Sequence, residues 1–149
     1  MRIALSLEYN GSNYFGWQKQ KIHKEKTIQY HIDHAISKVA NEEIHTVCAG
    51  RTDTGVHAFS QIIHFDTTKK RLDYKWINGI NSNLPNNIMT KKIYHVDDNF
   101  HARYSAVSRT YRYIILNQKY ASTHLLSNVL HFSDILSISK IKSAFKYLR

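Results

Sequence analysis

Apolar and polar residues alternate at the start of the chain. Ile3, Leu5, Leu7 and Tyr9 occupy every second position, and this period of two predicts a half-buried β-strand. Shorter apolar runs predict four more strands, at residues 44–49, 59–65, 88–96 and 109–117.

Three other segments repeat their apolar residues every three or four positions, which is the period of an amphipathic helix. They are residues 27–41, 72–83 and 137–149. Thr27 is expected to cap the first helix and Asn41 to end it. The order strand–helix–strand–strand–helix–strand is that of a ferredoxin-like α+β unit, and RNA-binding sheets are often built in this way. We therefore predict an α+β fold with a ferredoxin-like or RRM-like mixed sheet and helices on one face.

The composition adds an electrostatic constraint. The 149 residues include 21 Lys and Arg but only 11 Asp and Glu, a net charge of +10 with neutral histidines. Such an excess favours a polyanionic partner, nucleic acid first and an anionic membrane second, although a merely basic surface gives the same composition. No apolar run approaches the roughly 18 residues of a membrane span, and Cys48 alone excludes an internal disulfide or a cysteine-based zinc site. These features predict a cytoplasmic protein that does not engage a membrane.

The densest group of reactive side chains lies in the polar loop at residues 50–57. It places Arg51, Asp53 and His57 within seven residues, together with two glycines that permit a tight loop. A nearby Arg can hold the Asp carboxylate ionised, which suits a nucleophile or a general base. The alternative is an ordinary turn with a surface ion pair, which is common.

The triplet Asp53-Thr54-Gly55 also occurs in aspartic proteases, where two such carboxylates share one proton. In this sequence Arg51 and His57 put charge beside the triplet, whereas the protease pair needs a shielded site. A three-residue motif is also weak evidence by itself. The sequence therefore disfavours a protease.

Ten histidines raise the question of a metal site. His31 and His34 lie with Asp33 on the first predicted helix. The apolar stripe of that helix leaves these three groups mostly facing water. The spacing indicates no further ligand, whereas zinc needs three or four converging ones. No metal site is predicted.

Basic and aromatic residues are interleaved in two stretches, 14–19 and 103–113. Guanidinium groups bind phosphates and aromatic faces stack on bases, so this mixture suits single-stranded or flipped nucleotides. The possible RNA contacts are Lys19, His57, Arg103, Arg109 and Arg112. The alternative is that the aromatic residues belong to the core.

Five sequence blocks follow one another between residues 3 and 117. They are Tyr9–Gln29, Ala49–Asp66, Ile80–Pro85, Phe100–Ala106 and Arg109–Tyr113. In this order they resemble the tRNA pseudouridine synthase A family. The resemblance is distributed over the blocks and does not depend on a single motif, so it is highly specific.

The resemblance implies a pseudouridine-synthase fold and the isomerisation of uridine to pseudouridine in the tRNA anticodon arm, at about nucleotides 38 to 40. It implies no metal and no cofactor, and a homodimer. Asp53 matches the catalytic Asp of the family, Tyr111 its active-site Tyr that packs on the target base, and Arg51 an Arg that guides this base inward. The carboxylate can attack the sugar C1′ or act through the C2′ proton, and the residues leave both routes open.

Length is the main departure from the family pattern. Members of the family run to roughly 250 residues with a second, similar domain, a size usual for two domains. We therefore expect residues 1–117 to form the N-terminal synthase domain, and 118–149 to be a hinge and the first helix of a truncated C-terminal domain. Thr54 stands where the family usually has Ala. The rival hypothesis is a catalytically inactive remnant that acts at most as an RNA-binding module.

Overall fold

The computed structural model describes residues 1–147 and divides the chain into two compact units, Met1–Arg109 and a second that begins at Thr110. The first unit contains a four-stranded sheet of β1 (Arg2–Tyr9), β2 (Val47–Cys48), β3 (Ala58–Asp66) and β4 (Ile88–Val96). The order of the strands in the sheet is β2-β3-β1-β4. Every pair in this sheet is antiparallel, so the sheet of this unit is not the mixed one that we predicted.

Two helices cover this sheet, α1 (Ile28–Ala40) and α2 (Asp73–Asn81). The predicted ends of α1 are confirmed: it starts after Thr27, and Asn41 stops it in a left-handed conformation with φ of 52°. The Thr27 side chain forms no cap hydrogen bond to the helix, because its hydroxyl donates to the Lys24 carbonyl instead. Gly79 lets α2 approach α1 closely, because a Cβ atom there would lie 3.1 Å from a methyl group of Val39.

The core joins both helices to one face of β1. Ile3, Leu5 and Leu7 alternate along the strand and are fully buried, as their spacing predicts. The residues between them are buried as well, so β1 is not the half-buried strand that was predicted. They share one apolar cluster with residues of both helices, among them Ile32 and Trp76. The fold is therefore α+β, with an antiparallel sheet and helices.

The second unit contains β5 (Ile115–Asn117), β6 (Leu130–Phe132) and α3 (Ile138–Ala144). β5 and β6 pair in parallel. The predicted helix over 137–149 is shorter, and its last two residues, Leu148 and Arg149, lie outside the described part of the chain.

Two predicted strands are wrong in extent. Only Ile115–Asn117 of the segment 109–117 is a strand, because β6 is three residues long and pairs with these three positions. The segment 44–49 is reduced to Val47–Cys48, because side chains of α1 take the backbone groups before it.

Those side chains are Ser37, Asp33 and Gln29. The backbone N–H groups of Ile44 and Thr46 donate to Ser37 Oγ and Asp33 Oδ1, at 2.9 and 3.1 Å. The Thr46 carbonyl accepts from Gln29 Nε2 at 3.0 Å. With these groups occupied, the segment cannot extend the ladder of β2.

No helix within residues 1–147 is long and apolar enough to cross a membrane.

Candidate active site

The loop that carries Asp53 connects β2 to β3 and is fixed at its start by two buried side chains. Gln61 donates from Nε2 to the Gly50 carbonyl at 2.5 Å and accepts from the Gly50 N–H at 3.3 Å. The Tyr9 hydroxyl pairs with Thr52 Oγ1 at 2.9 Å, and Gln61 Nε2 donates to the same hydroxyl at 3.4 Å. Burial raises the pKa of Tyr9. This hydroxyl is therefore a neutral anchor for the loop.

The segment after β1 holds the rest of the loop through backbone contacts. Trp17 N–H donates to the Thr52 carbonyl at 2.9 Å, and Gly55 N–H donates to the Tyr14 carbonyl at 3.2 Å. His57 is tied to the same segment, because its Nδ1 accepts from the Gly11 N–H at 3.2 Å. The loop is thus held by backbone groups from a distant part of the sequence.

Two glycines make this close packing possible. A Cβ atom at Gly11 would lie 2.0 Å from the Val56 carbonyl oxygen, and one at Gly16 would lie 2.6 Å from the Thr52 carbonyl oxygen. Gly16 also has φ of +86°, which side-chain-bearing residues rarely adopt. A larger residue at either position would push the two segments apart.

The side chains of Arg51 and Asp53 are exposed on this fixed backbone. Among residues 1–147, no side chain or N–H group bonds to the Asp53 carboxylate, and the ion pair between Arg51 and Asp53 that the alternative interpretation requires is not formed. The Asp53 carbonyl accepts from Val56 N–H at 3.2 Å, which tightens the turn. The arrangement presents a carboxylate whose backbone is positioned and whose oxygens remain accessible.

The guanidinium of Arg109 links the residue that follows β2 to a segment distant in sequence. Arg109 donates from Nε and Nη2 to the Ala49 carbonyl, at 3.0 and 2.7 Å, and from Nη2 to the Arg103 carbonyl at 3.0 Å. Arg109 was predicted as a possible RNA contact. In the structure two of its nitrogens hold the backbone immediately before the Asp53 loop.

Arg51 and Arg103 are both close enough to Cys48 for their charges to act on its thiol. Burial raises the pKa of the Cys48 thiol, and the charges of Arg51 and Arg103 both act against this rise. Together with Arg109 they form a cationic group at the end of β2. The structure thus brings three of the residues singled out in the sequence together.

Arg103 belongs to a segment that docks on the sheet through histidines. Its guanidinium lies 5.9 Å from the Tyr104 ring, which stacks on His101 at 4.3 Å. His64 Nδ1 accepts from the Ala102 N–H at 3.1 Å. Burial, with the charge of Arg2, lowers the pKa of His64, which keeps this nitrogen an acceptor.

The remaining predicted contacts are Lys19 in the first unit and two residues of the second unit. Lys19 is fixed beside α1, where its N–H donates to Gln29 Oε1 at 3.1 Å and its Nζ lies 6.0 Å from the Tyr30 ring. Tyr111 and Arg112 belong to the second unit, where both side chains are exposed.

The sequence analysis assigned no role to Gln61, Tyr9 or Gly11, although these residues fix the loop. The available signal was the pair of glycines at 11 and 16 in a stretch otherwise rich in aromatic and polar residues. Glycines at such fixed places suggest close backbone approach.

The helix α1 carries a carboxylate that the sequence analysis placed in water. Asp33 is instead buried, because its Oδ1 accepts from both the N–H and the hydroxyl of Thr46, at 3.1 and 2.7 Å. Burial raises its pKa. His31 Nε2 lies 2.8 Å from the Glu25 carbonyl, and no three metal-ligating side chains converge within the described residues.

Comparison with known proteins places the sequence of this chain in a family. The model of a family described as tRNA pseudouridine synthase matches residues 5–105. The chain is 47% identical over 148 residues to the tRNA pseudouridine synthase A of Shewanella halifaxensis, covering 99% of this chain and 56% of the relative. It is 45% identical to the tRNA pseudouridine synthase A of Vibrio cholerae, and the match covers 99% of this chain and 55% of the relative. It is 47% identical to that of Colwellia psychrerythraea, and the match covers 99% of this chain and 56% of the relative. The chain thus spans about half the length of the curated relatives that it matches. It belongs to the tRNA pseudouridine synthase family.

Proposed function

We propose that this chain isomerises uridine to pseudouridine in tRNA, with Asp53 as the catalytic carboxylate. The observation that carries the proposal is the exposed Asp53 side chain on a loop that is held at Gly50, Thr52, Gly55 and His57 by residues outside it. Such fixation lowers the entropic cost of aligning a nucleophile with the bond that it attacks.

The chemistry requires only groups that a carboxylate and a base-binding surface can provide. The N1–C1′ bond of uridine breaks, the uracil turns, and a C5–C1′ bond forms while C5 loses a proton and N1 gains one. Asp53 attacks C1′ and is later displaced, or it takes the C2′ proton in a glycal route. Both routes need an ionised carboxylate with free oxygens. Neither route changes the oxidation state or needs a cofactor.

The other roles follow from the family. We assign Arg51 to guiding the extruded nucleotide and Tyr111 to stacking on the uracil, which must stay bound while it turns. Extruding a nucleotide costs a few kcal/mol, and cationic contacts offset that cost. The substrate is the anticodon arm of tRNA in the cytoplasm, and the acting species is a homodimer.

The finer architecture is also a proposal. The order β2-β3-β1-β4 with helices after β1 and β3 supports a ferredoxin-like arrangement for the first unit. We keep residues 1–117 as the synthase domain and 118–149 as a hinge and the first helix of a further domain.

Tritium release tests the proposal. The chain, Asp53→Asn and a control variant, Glu43→Gln, are incubated with tRNA that carries tritium at C5 of its uridines. Glu43 is an exposed carboxylate outside the loop. Release by the chain and by the Glu43 variant, but not by the Asp53 variant, is the expected result. Equal release by all three would refute Asp53 as the catalytic residue.

The second candidate is an RNA-binding module without turnover. The net charge and the exposed tyrosines Tyr104, Tyr111 and Tyr113 favour it. It predicts that the chain and Asp53→Asn bind tRNA equally well and that neither releases tritium.

A further inference from the structure

A strongly basic segment projects beside the candidate active site. Every residue from 18 to 26, here named the basic arm, is exposed. The arm contains four lysines and one glutamate, a net charge of +3, as well as His23. Of its lysines, only Lys19 was singled out from the sequence.

The basic arm is attached firmly at both ends. Phe15 N–H donates to the Lys26 carbonyl at 2.7 Å, and Lys19 N–H donates to Gln29 Oε1 at 3.1 Å. Residues Lys24–Lys26 form a 3₁₀ turn, which the hydroxyl of buried Thr27 closes by donating to the Lys24 carbonyl at 2.6 Å. The lysines therefore stand on an ordered backbone.

The base of the arm touches the Asp53 loop. Trp17 N–H donates to the Thr52 carbonyl at 2.9 Å, and a Cβ atom on Gly16 would lie 3.1 Å from the Asp53 carbonyl carbon. The arm starts at the next residue, Gln18. A nucleic acid strand that presents a nucleotide to Asp53 thus passes close to the lysines.

The lysines of the arm are available to a ligand. None of them forms an ion pair with a carboxylate among residues 1–147. Lys26 Nζ lies 5.5 Å from the centroid of the Phe15 ring, which is 42% exposed. A row of cations beside an exposed aromatic ring is the combination that binds a nucleic acid strand through phosphates and stacking.

We propose that the basic arm binds the phosphate backbone of the RNA next to the nucleotide that Asp53 addresses, through Lys21, Lys24 and Lys26. This inference rests on the proposed function, since it takes tRNA as the ligand. An anionic membrane is disfavoured because Ile22 is the only large apolar side chain of the arm, whereas a membrane-binding segment presents an apolar face.

The test compares two triple variants that remove equal charge. The arm variant carries Lys21→Gln, Lys24→Gln and Lys26→Gln. The control carries Lys69→Gln, Lys70→Gln and Lys75→Gln. The control lysines lie beyond the far end of β3, about 26 Å along this strand from the Asp53 loop.

Binding of a fluorescein-labelled, unmodified tRNA transcript is measured by anisotropy over a series of salt concentrations. Each lost phosphate contact reduces the slope of log K against log salt by about 0.7 to 0.9. The arm variant is expected to lose about 2 to 3 units of slope and at least tenfold in affinity at low salt. The control is expected to lose less than about one unit of slope.

A third variant, with arginine at the three arm positions, guards against a folding artefact and is expected to bind like the unmodified chain. Equal losses in the two glutamine variants would mean that only net charge matters, and would overturn the proposal. So would undetectable tRNA binding by the unmodified chain, or arm-dependent binding to phosphatidylserine vesicles without arm-dependent RNA binding.

Tritium release separates this inference from the isomerase proposal. Arm-dependent tRNA binding without any release supports the arm and contradicts the proposed catalysis. Release by the arm variant with unchanged KM and unchanged salt dependence contradicts the arm and leaves the catalysis standing.

Discussion

The two compact units differ most in how they bury their side chains. The first encloses an apolar cluster around β1, in which Leu5, Ile32 and Trp76 have no exposed surface. In the second, none of the described residues from 110 to 147 is buried, and Ile135 is 99% exposed. A segment of this size has too little interior to stabilise itself strongly. The stability of the Asp53 loop therefore comes from the first unit, whose residues supply its anchors.

The largest expected effect tests whether only the first unit has a core. Trp76→Ala should lower the free energy of unfolding by about 3 to 5 kcal/mol, because it empties a fully buried site against Phe65. Phe132→Ala in the second unit should lower the free energy of unfolding by less than about 1 kcal/mol. Urea denaturation followed by far-UV circular dichroism measures both. Similar losses in the two variants would contradict the difference between the units.

The next prediction concerns the anchoring of the loop. Gly16→Ala should lower the free energy of unfolding by about 2 kcal/mol or more, since it adds a clash with the Thr52 carbonyl to the strain of a positive φ. Gly55 has φ of +79°, but a Cβ atom there meets nothing within 4 Å. Gly55→Ala should therefore cost only about 1 to 2 kcal/mol. Urea denaturation of both variants checks the order, and an equal or larger cost at Gly55 would show that the contact between the segments is unimportant.

A smaller effect is expected from Arg109→Lys, which keeps the charge but loses the forked bonds to the Ala49 and Arg103 carbonyls. The free energy of unfolding should fall by about 1 kcal/mol, because these hydrogen bonds are exposed to water. Hydrogen exchange at the Gly50 and Arg51 amides should become faster. In a second variant, Arg109→Gln, the salt slope of tRNA binding should fall by less than about 0.7, and a larger reduction would instead make Arg109 a phosphate contact.

The smallest effect concerns a buried carboxylate of the first unit. Burial raises the pKa of Asp33 above its unfolded value, so its ionised form destabilises the fold. This cost appears as pH rises through the unfolded-state pKa and is complete above the folded-state pKa. Asp33→Asn keeps an oxygen that can accept from Thr46. The free energy of unfolding of this variant should exceed that of the unmodified chain by up to about 1 kcal/mol at pH 7. The two should be equal below the ordinary Asp pKa of about 3.9.

Thermal denaturation of Asp33→Asn and the unmodified chain across this pH range gives the difference directly. A gain that persists in acid, or a loss at neutral pH, would contradict the assigned cause.

The period of the apolar residues was sufficient to predict the limits of an element where that element is stabilised by its own buried face. The alternation in β1 and the stripe of α1 gave both elements nearly to the residue, and β4 was predicted at its observed limits. The strand predicted from this period over residues 109–117 was too long, because a strand also needs a paired neighbour. Apolar spacing does not reveal where β6 ends. It failed at Asp33 because a polar partner on another segment, Thr46, makes burial of that carboxylate possible.

The candidate site shows the same limit. Composition and glycines drew attention to residues 50–57, because reactive side chains in a polar loop are visible in the sequence alone. The contacts that fix the loop are not visible there, since they join Tyr9 to Thr52 and Gly11 to His57 across more than forty positions. The positions of Gln61 and Arg109 as loop anchors likewise required the structure.

These long-range anchors also determine when the loop can take shape as the chain folds. Tyr9 and Thr52 are 43 positions apart, Gly11 and His57 are 46, and contacts of such separation form slowly because a large loop must close first. The registers that bring them together arise when β1 pairs with β3, whose last residue is Asp66. A chain emerging from the ribosome therefore exposes Asp53 well before that carboxylate has a defined position.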